Sequence, residues 1–267
     1  MSERRIDIVA EPDHLGAARW HAVASPGLVA GVAGLRPVEP FECGGSPLPA
    51  AVPPGTLELS LHVEPSWRRR GIGSRLLAAA GAHAAGRRLV AEVAAGSAGE
   101  SFCVRHGFRR TGSWGHDLLT YCDVHHAWLG ELVDVEHPGY RLRHWTGDVC
   151  GATSVEQMLR RPSRPGDAVV SAAEADGGLV AYALARREGP RERRARQYGP
   201  AVRTGHRGRR LGLWVNAALI KRVREIDPHV EEIETRTAHD DPAQRALRRH
   251  LGFHPLGRSL RYEITLP

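Results

Sequence analysis

Alternating apolar and polar residues mark the strands of this chain. Leu57–Val63 (LELSLHV) alternates with a period of two, so its apolar side chains face one way. Glu58, Ser60 and His62 then share the opposite face of the predicted strand. Four further runs have strand character, and a hairpin turn at Asp176-Gly177-Gly178 joins the second to the third: Arg88–Val93, Ala168–Glu174, Leu179–Arg187 and Ile233–Thr237.

Helical periodicity follows directly after two of the strands. Gly71–Ala85 is rich in Ala and Leu, and Gly86 ends it. Leu211–Ile226 is longer, and Asp227-Pro228 ends it. An apolar stripe on this second helix indicates its buried face; it consists of Leu211, Val215, Ala218, Leu219 and Ile226. Short helices are predicted at Ser101–His106 and Pro242–Leu251, each stopped by a glycine.

Three sequence patterns occur twice, in the same order, about half a chain apart, which indicates a duplication. They are GLVAGVAGLR from Gly27 with GLVAYALARR from Gly178, RRRGIGSRLL from Arg68 with RGRRLGLWVN from Arg207, and RHGFRRTG from Arg105 with HLGFHPLG from His250. Each half is predicted to run helix, strands, strand-turn-helix, strand, helix, strand. The Pro-Gly turn near Glu136–Gly139 predicts two domains, 1–135 and 136–267.

The charge of the chain raises the question of nucleic-acid binding. The net charge is +7 and the pI is about 9.8. However, Lys221 is the only lysine, the arginines are spread along the whole chain, and acidic residues are plentiful. A nucleic-acid-binding protein would be expected to gather its positive charge on one face. The composition therefore leaves nucleic acid as an unlikely partner.

Location and metal binding can be addressed from the same composition. No apolar run is long enough to span a bilayer, and the N-terminal MSERRIDIVAEPDHLG lacks the apolar centre of a signal peptide, so a cytoplasmic protein is expected. The cysteines, which are widely spaced and expected to be free thiols, are Cys43, Cys103, Cys122 and Cys150. The stretch Cys122–His126 lacks a second group of ligands, so no metal is expected.

The segment Arg68–Gly73 (RRRGIG) joins a predicted strand to a predicted helix. In such a turn several backbone N–H groups converge beside the positive end of the helix dipole, and glycine lets a ligand approach closely. Arginines add charge-assisted contacts to phosphate oxygens. The segment therefore predicts a diphosphate site. It is neither a dinucleotide fingerprint, because Leu76 stands where the third glycine would be, nor a P-loop.

The pattern R-x-x-G-x-G between strand and helix, with Gly-Phe following later, resembles the acyl-CoA pyrophosphate loop of the GNAT acyltransferase superfamily. The resemblance covers both halves, so the chain as a whole is similar to tandem acyltransferases of the mycothiol-synthase type. It implies a mixed α/β (α+β) fold class: two tandem GNAT folds, each a mostly antiparallel, splayed central sheet flanked by helices. It also implies acetyl-CoA as cosubstrate, bound in the first half by Leu61, Val63, Arg68, Arg69, Arg70, Gly71, Ile72, Gly73 and Ser74.

The second half departs from the motif, because Arg210 stands where the first glycine is expected. The resemblance carries over to five positions there, Val202, Arg207, Gly208, Arg210 and Gly212. The better acetyl-CoA site is therefore expected in the first half. Substrate binding or packing remains an alternative role for the second half.

The family resemblance implies direct attack of an amine on the thioester, with a base, an oxyanion site and sometimes an acid. The predicted base is Glu58, with His62 as the weaker alternative. The oxyanion site is expected to be backbone N–H of a bulged central strand. Many relatives have a tyrosine, which can act as the acid, four residues before the last Gly-Phe. At this position the chain has Cys103 in the first half and Arg248 in the second. Tyr121, Tyr198, water or an unaided thiolate remain alternatives.

The sequence thus predicts an acyl-CoA-dependent N-acyltransferase that moves an acetyl group from acetyl-CoA to the primary amine of a small molecule. One alternative is a non-catalytic acyl-CoA-binding or regulatory protein, which the missing tyrosines favour. The other is a basic nucleic-acid-binding protein. The amine, the oligomeric state and the number of active domains stay open.

Overall fold

The computed structural model describes residues 6–14, 17–38, 53, 55–149, 152, 154–187, 189, 191–238 and 241–266. Cys43 and Cys150 lie outside the described residues, whereas Cys103 and Cys122 are free thiols as predicted. The chain forms two compact units. The first comprises the described parts of Met1–Glu39, Ala51–Ser113 and Ser259–Pro267, and the second comprises those of Trp114–Arg258. The predicted division into 1–135 and 136–267 stays a prediction.

The first unit is a mostly antiparallel sheet in the order β1-β2-β3-β4-β5-β12. Its described strands are β1 (Ile6–His14), β2 (Ala17–Ala24), β3 (Leu28–Pro37), β4 (Leu57–Val63), β5 (Arg88–Ala94) and the Ser259–Thr265 part of β12 (His254–Thr265). Its helices are α1 (Ile72–Ala84) and α2 (Ala98–Arg105). The core gathers the alternate residues of the strands, Trp20, Leu35 and Leu89 among them, around Leu76 of α1.

The second unit repeats this architecture in the order β6-β11-β10-β9-β8-β7. Its described strands are the part of β6 (Arg109–Thr120) from Trp114 onward, β7 (Arg141–Gly147), β8 (Ala168–Ala175), β9 (Gly178–Arg187), β10 (Arg194–Val202) and β11 (Glu232–Ala238). Its helices are α3 (His126–Asp134), α4 (Val155–Arg160), α5 (Leu211–Ile226) and α6 (Pro242–His250). One core lies around α5 and another around Met158 of α4, so both faces of the sheet are covered.

The repeated Gly-Phe ends two helices in the same way. Gly107 and Gly252 take left-handed φ angles of 76° and 89°. Phe108 then donates its N–H to the Cys103 carbonyl, and Phe253 donates to the Arg248 carbonyl, each at 3.0 Å. Both hydrogen bonds are the 6→1 bonds of a glycine-terminated helix. Cys103 and Arg248 therefore occupy matching positions in their units, as the sequence alignment of the two halves predicts.

Two predictions about elements are wrong. The expected leading helix is absent from the described part of each half, which begins with a strand, β1 or β7. In β1, Ile6 and Ile8 alternate and pack on the first core, which explains a strand there. Ile226 does not belong to the buried stripe of α5. It is 37% exposed because it is the last helical residue, one turn beyond the buried Val223.

Candidate functional site: two matching strand–turn–helix loops

The first loop leaves β4 through a 3-10 turn at Pro65–Trp67 and enters α1. Arg68 has φ −66° and ψ 160°, Arg69 has φ 63°, and Gly71 has φ 75° as the N-cap residue. The Arg68 side chain holds this turn in place, since its Nε donates to the Val63 carbonyl at 2.9 Å. Left-handed residues at every second position, Arg69 and Gly71, turn N–H groups toward one side, as in an anion-binding nest.

The second loop follows the same path between β10 and α5. Arg207 has φ −66° and ψ 161°, Gly208 has φ 77°, and the N-cap Arg210 has φ 58°. Arg207 Nε again donates to the carbonyl five residues earlier, on Val202, at 3.4 Å. The loop thus keeps its backbone although Arg210 replaces the expected glycine. The two left-handed positions have exchanged residue types: Arg then Gly in the first loop, Gly then Arg in the second.

Charge in each loop suits an anion. Arg68, Arg69 and Arg70 are exposed in the first loop, and Arg207, Arg209 and Arg210 in the second. Neither α1 nor α5 has an acidic residue in its first turn. The positive helix end and the arginines therefore act together without a competing carboxylate on the helix.

Some residues predicted to bind the cosubstrate contribute to helix packing, so their side chains are not available to a ligand. Ile72 is 1% exposed, so only its backbone could reach a ligand. A Cβ at Gly73 would lie only 3.0 Å from the Phe102 ring, so this glycine lets α1 approach α2 closely, whereas a Cβ at Gly212 would lie at an ordinary contact distance of 3.5 Å from Leu247. Ser74 is exposed, and its Oγ lies 3.0 Å from His106 Nε2.

The central strands separate just before each loop. β4 and β5 pair in parallel only through Leu57–Leu89 and Glu58–Val90. β10 and β11 pair from Arg194–Glu232 to Gln197–Thr235 and then also diverge. Beyond these pairs, the edges carrying Leu61, Val63 and Val202 face a gap with no strand partner in the described residues. Each gap leads to a loop, so an extended chain with amide groups could pair with the free strand edge.

In the described residues the expected bulge of a central strand lies in β10 of the second unit and not in β4. β4 pairs with β3 without interruption from Leu57 to Val63. In β10 the register with β9 shifts between Tyr198 and Ala201. Pro200 lies within that interruption and has no N–H to give to a ladder, which explains why the strand bulges there.

The predicted base, Glu58, lies at the last paired position before β4 and β5 diverge. Its carboxylate accepts a 2.8 Å hydrogen bond from Arg36 Nε, and it faces away from the leucines as the alternation predicts. His62 is exposed on the same face, with Nε2 3.5 Å from Glu64. The structure thus places Glu58 where the gap between β4 and β5 begins, and His62 farther along β4.

The second unit has a carboxylate that the sequence analysis missed. Glu234 on β11 pairs with Arg196 of β10, and its Oε1 lies 2.9 Å from His116 Nδ1 on β6. Burial alone would raise the pKa of Glu234, but the hydrogen bond and charge of His116 and the contact with Arg194 outweigh it, so the pKa is lowered. Glu234, His116 and Arg194 come from three separate strands, so no local sequence pattern contains them.

The candidate acids differ sharply in what they can do. Burial, and then Glu100, raise the pKa of Cys103 to about 11, so it stays a neutral thiol. Tyr121 is buried and donates its hydroxyl to the Ile220 carbonyl at 2.7 Å, and burial raises its pKa, so it is a structural residue. Tyr198 is 36% exposed at the bulge. Tyr262, which the sequence analysis missed, donates to Glu100 at 3.2 Å near Cys103.

The stretch Cys122–His126, considered above for metal binding, forms local backbone structure. Tyr121–Asp123 form a 3-10 turn, and His125 caps α3 by accepting the Trp128 N–H at 3.3 Å. Among the residues that the structure describes, no three His, Cys, Asp or Glu side chains are grouped to hold a metal ion. None of the helices in the described ranges has the length and apolar character needed to cross a bilayer.

Paired loops with the backbone of an anion-binding nest, each beside a gap between two parallel strands, are typical of an acyl-CoA-dependent acyltransferase. Sequence comparison agrees with this class. The family model described as "Acetyltransferase (GNAT) domain" matches residues 18–133, and the model described as "Acetyltransferase (GNAT) family" matches residues 130–253. The chain belongs to the GNAT acetyltransferases and carries two such domains in tandem.

Solved structures show the same fold. A tandem GNAT protein from the clavulanic acid biosynthesis pathway aligns with a TM-score of 0.69 and 24% identity over 94% of this chain and 83% of its own. A GCN5-related N-acetyltransferase from Sphaerobacter thermophilus aligns with a TM-score of 0.61 and 17% identity over 93% and 80%. One from Kribbella flavida aligns with a TM-score of 0.55 and 17% identity over 97% and 89%. No curated protein matches the sequence.

Proposed function

We propose that the protein transfers an acetyl group from acetyl-CoA to the primary amine of a small molecule, and that both units bind acetyl-CoA. The observation that carries this is the shared backbone of the two loops, with left-handed residues at matching positions and three exposed arginines in each. We also propose the cytoplasm as its location, consistent with its few, widely spaced cysteines.

The pyrophosphate of acetyl-CoA would lie on the N–H groups of each loop, at the start of α1 or α5. The pantetheine arm would then extend along the free edge of β4 or β10 into the gap, which brings the thioester to the point where the strands diverge. Glu58 lies at this point in the first unit. In the second, Glu234 lies one residue before the last paired position, Gln197–Thr235.

Transfer needs the amine in its neutral form. The amine nitrogen attacks the thioester carbonyl, a C–N bond forms, the C–S bond breaks, and the amine proton passes to a base. In this proposal Glu58 takes that proton in the first unit, directly or through water. Its contact with Arg36 fixes the direction of the carboxylate at 2.8 Å.

Release of the CoA thiol during incubation with acetyl-CoA and a panel of primary amines tests this function. The double variant Gly71→Asp/Arg210→Asp places a carboxylate at the same left-handed position of each loop. A carboxylate ~4 to 6 Å from a pyrophosphate costs on the order of 1 to 3 kcal/mol near a protein surface. The apparent affinity for acetyl-CoA is therefore expected to fall about tenfold or more.

The matched control is Gly71→Asn/Arg210→Asn, because Asn tolerates the left-handed conformation equally well and adds no charge. Both variants remove the Arg210 charge, so the Asn variant is expected to keep clearly more activity than the Asp variant, which differs from it by the two added carboxylates. Amine-independent hydrolysis as the sole activity, or equal activity in the Asp and Asn variants, would contradict the proposal. Saturable acetyl-CoA binding without turnover of any amine would instead favour the non-catalytic alternative.

A further inference from the structure

The second unit contains a buried arginine at the point where its central strands separate. Arg248 of α6 is 3% exposed. Its Nη2 donates to the carbonyl of Gly199, in the bulge of β10, at 3.2 Å. Its Nη1 lies 3.6 Å from Asp117 Oδ2 on β6. Thr237, which follows the last β10–β11 pair, lies 3.5 Å from the same Asp117 oxygen. The guanidinium thus lies across the gap between β10 and β11.

Much of the hydrogen-bonding capacity of this guanidinium is unused. The Nε and Nη1 atoms of Arg248 are fully buried and make no hydrogen bond. A buried donor without an acceptor costs about 1 to 3 kcal/mol, more when it is charged, so such groups call for a partner. Nearby, Gln244 donates to the Pro200 carbonyl at 2.9 Å, so two α6 side chains hold the bulge. Nε is therefore without a partner, and Nη1 has only the longer ionic contact with Asp117, in surroundings that are otherwise polar.

We infer that Arg248 is a catalytic residue of the second unit, which binds the sulfur of the acyl-CoA thioester and stabilises the departing thiolate by its charge. This rests on the proposed function. When the amine nitrogen forms its bond to the carbonyl carbon, the electron pair of the C–S bond leaves on sulfur. The amine proton goes to the base, and the guanidinium keeps all its protons. No acid is then required in this unit.

Arg248 keeps its positive charge although it is buried, so it can stabilise a thiolate without donating a proton. Burial lowers the pKa of Arg248 to about 10, while Asp117 and Asp241 raise it, so the group remains a cation at neutral pH. The matching residue of the first unit, Cys103, is a neutral thiol with a raised pKa. The two units therefore differ in how the leaving group is handled, although their loops are alike.

The test compares CoA with desulfo-CoA, which lacks the sulfur, as ligands of the Gly71→Asp protein, in which only the second unit keeps an unaltered loop. Near pH ~8.5, where thiols begin to ionise and the Arg248 guanidinium stays charged, CoA is expected to bind about tenfold more tightly than desulfo-CoA. Adding Arg248→Gln should remove this preference and leave the affinity for desulfo-CoA unchanged. Adding Arg248→Lys should restore part of it, and adding Cys103→Ala should change nothing.

Equal affinities for CoA and desulfo-CoA in the Gly71→Asp protein would overturn the inference without any substitution at Arg248. An equal loss of affinity for both ligands in the Arg248→Gln variant would also overturn it, because that result indicates a structural role. If the folded Gly71→Asp protein binds neither ligand, the acyl-CoA site proposed for the second unit fails as well. Binding of both ligands without a preference leaves the proposed function intact and removes only the role of Arg248.

Discussion

Glu58→Gln is expected to lower kcat of the first unit about a hundredfold while leaving its Kd for acetyl-CoA unchanged. Glutamine keeps the shape of the side chain and an oxygen for Arg36, which contacts Glu58 at 2.8 Å, but it cannot accept the amine proton. A general base contributes roughly 10²- to 10⁴-fold to the rate. The measurement is steady-state CoA release by the Arg210→Asp protein, so that turnover by the first unit dominates.

His62→Gln is the matched control for this prediction. His62 lies on the same face of β4 and is exposed, but it is farther from the position where β4 and β5 diverge. The His62→Gln variant is expected to keep kcat within about twofold of the wild-type value. The reason is that the rate depends on a correctly positioned base and not on the general polarity of this face. A normal kcat for Glu58→Gln, or a larger loss for His62→Gln, would assign the base to another group.

Asp117→Ala is expected to lower the free energy of unfolding of the second unit by about 3 kcal/mol. The carboxylate is the anion beside the Arg248 guanidinium, at 3.6 Å, and their side chains are 16% and 3% exposed. Removing one member of a buried pair leaves an uncompensated charge, which typically costs ~3 to 5 kcal/mol. Urea unfolding followed by tryptophan fluorescence measures the change.

Asp148→Ala provides the comparison at the surface. Asp148 pairs with Arg164 at 3.1 Å, with side chains 48% and 65% exposed, and exposed pairs contribute about 0 to 1 kcal/mol. The double variant Asp117→Leu/Arg248→Met should recover most of the stability lost in Asp117→Ala, since neither charge then remains buried. If Asp117→Ala costs no more than Asp148→Ala, the buried pair is not what stabilises this region.

Local chemistry explains which parts of the fold were predictable. β4, α5 and the helix ends at Gly107 and Gly252 follow from alternation, helical periodicity and glycine, all of which are local signals. The loop at Arg68 was predictable for the same reason. The prediction of a leading helix was wrong in the first half because Ile6 and Ile8 alternate along β1 and pack on the first core.

The chemistry at the gap depends on residues that are distant along the chain. Arg248 meets Asp117 and Gly199 only after α6, β6 and β10 have packed together. The bulge in β10 had a local signal, since Gly199-Pro200 interrupts a strand and proline lacks an N–H, but the sequence analysis expected a bulged central strand without naming these residues. The left-handed conformation of Arg210 had no signal, because glycine normally marks such a position.

Calorimetric titration of the wild-type protein with acetyl-CoA tests the central claim most directly. The matching loop backbones predict saturable binding of two acetyl-CoA molecules per chain, with one site weakened by Gly71→Asp and the other by Arg210→Asp. A single site that neither substitution weakens would contradict the assignment of the loops. The absence of saturable binding would contradict the claim that this tandem protein uses acetyl-CoA.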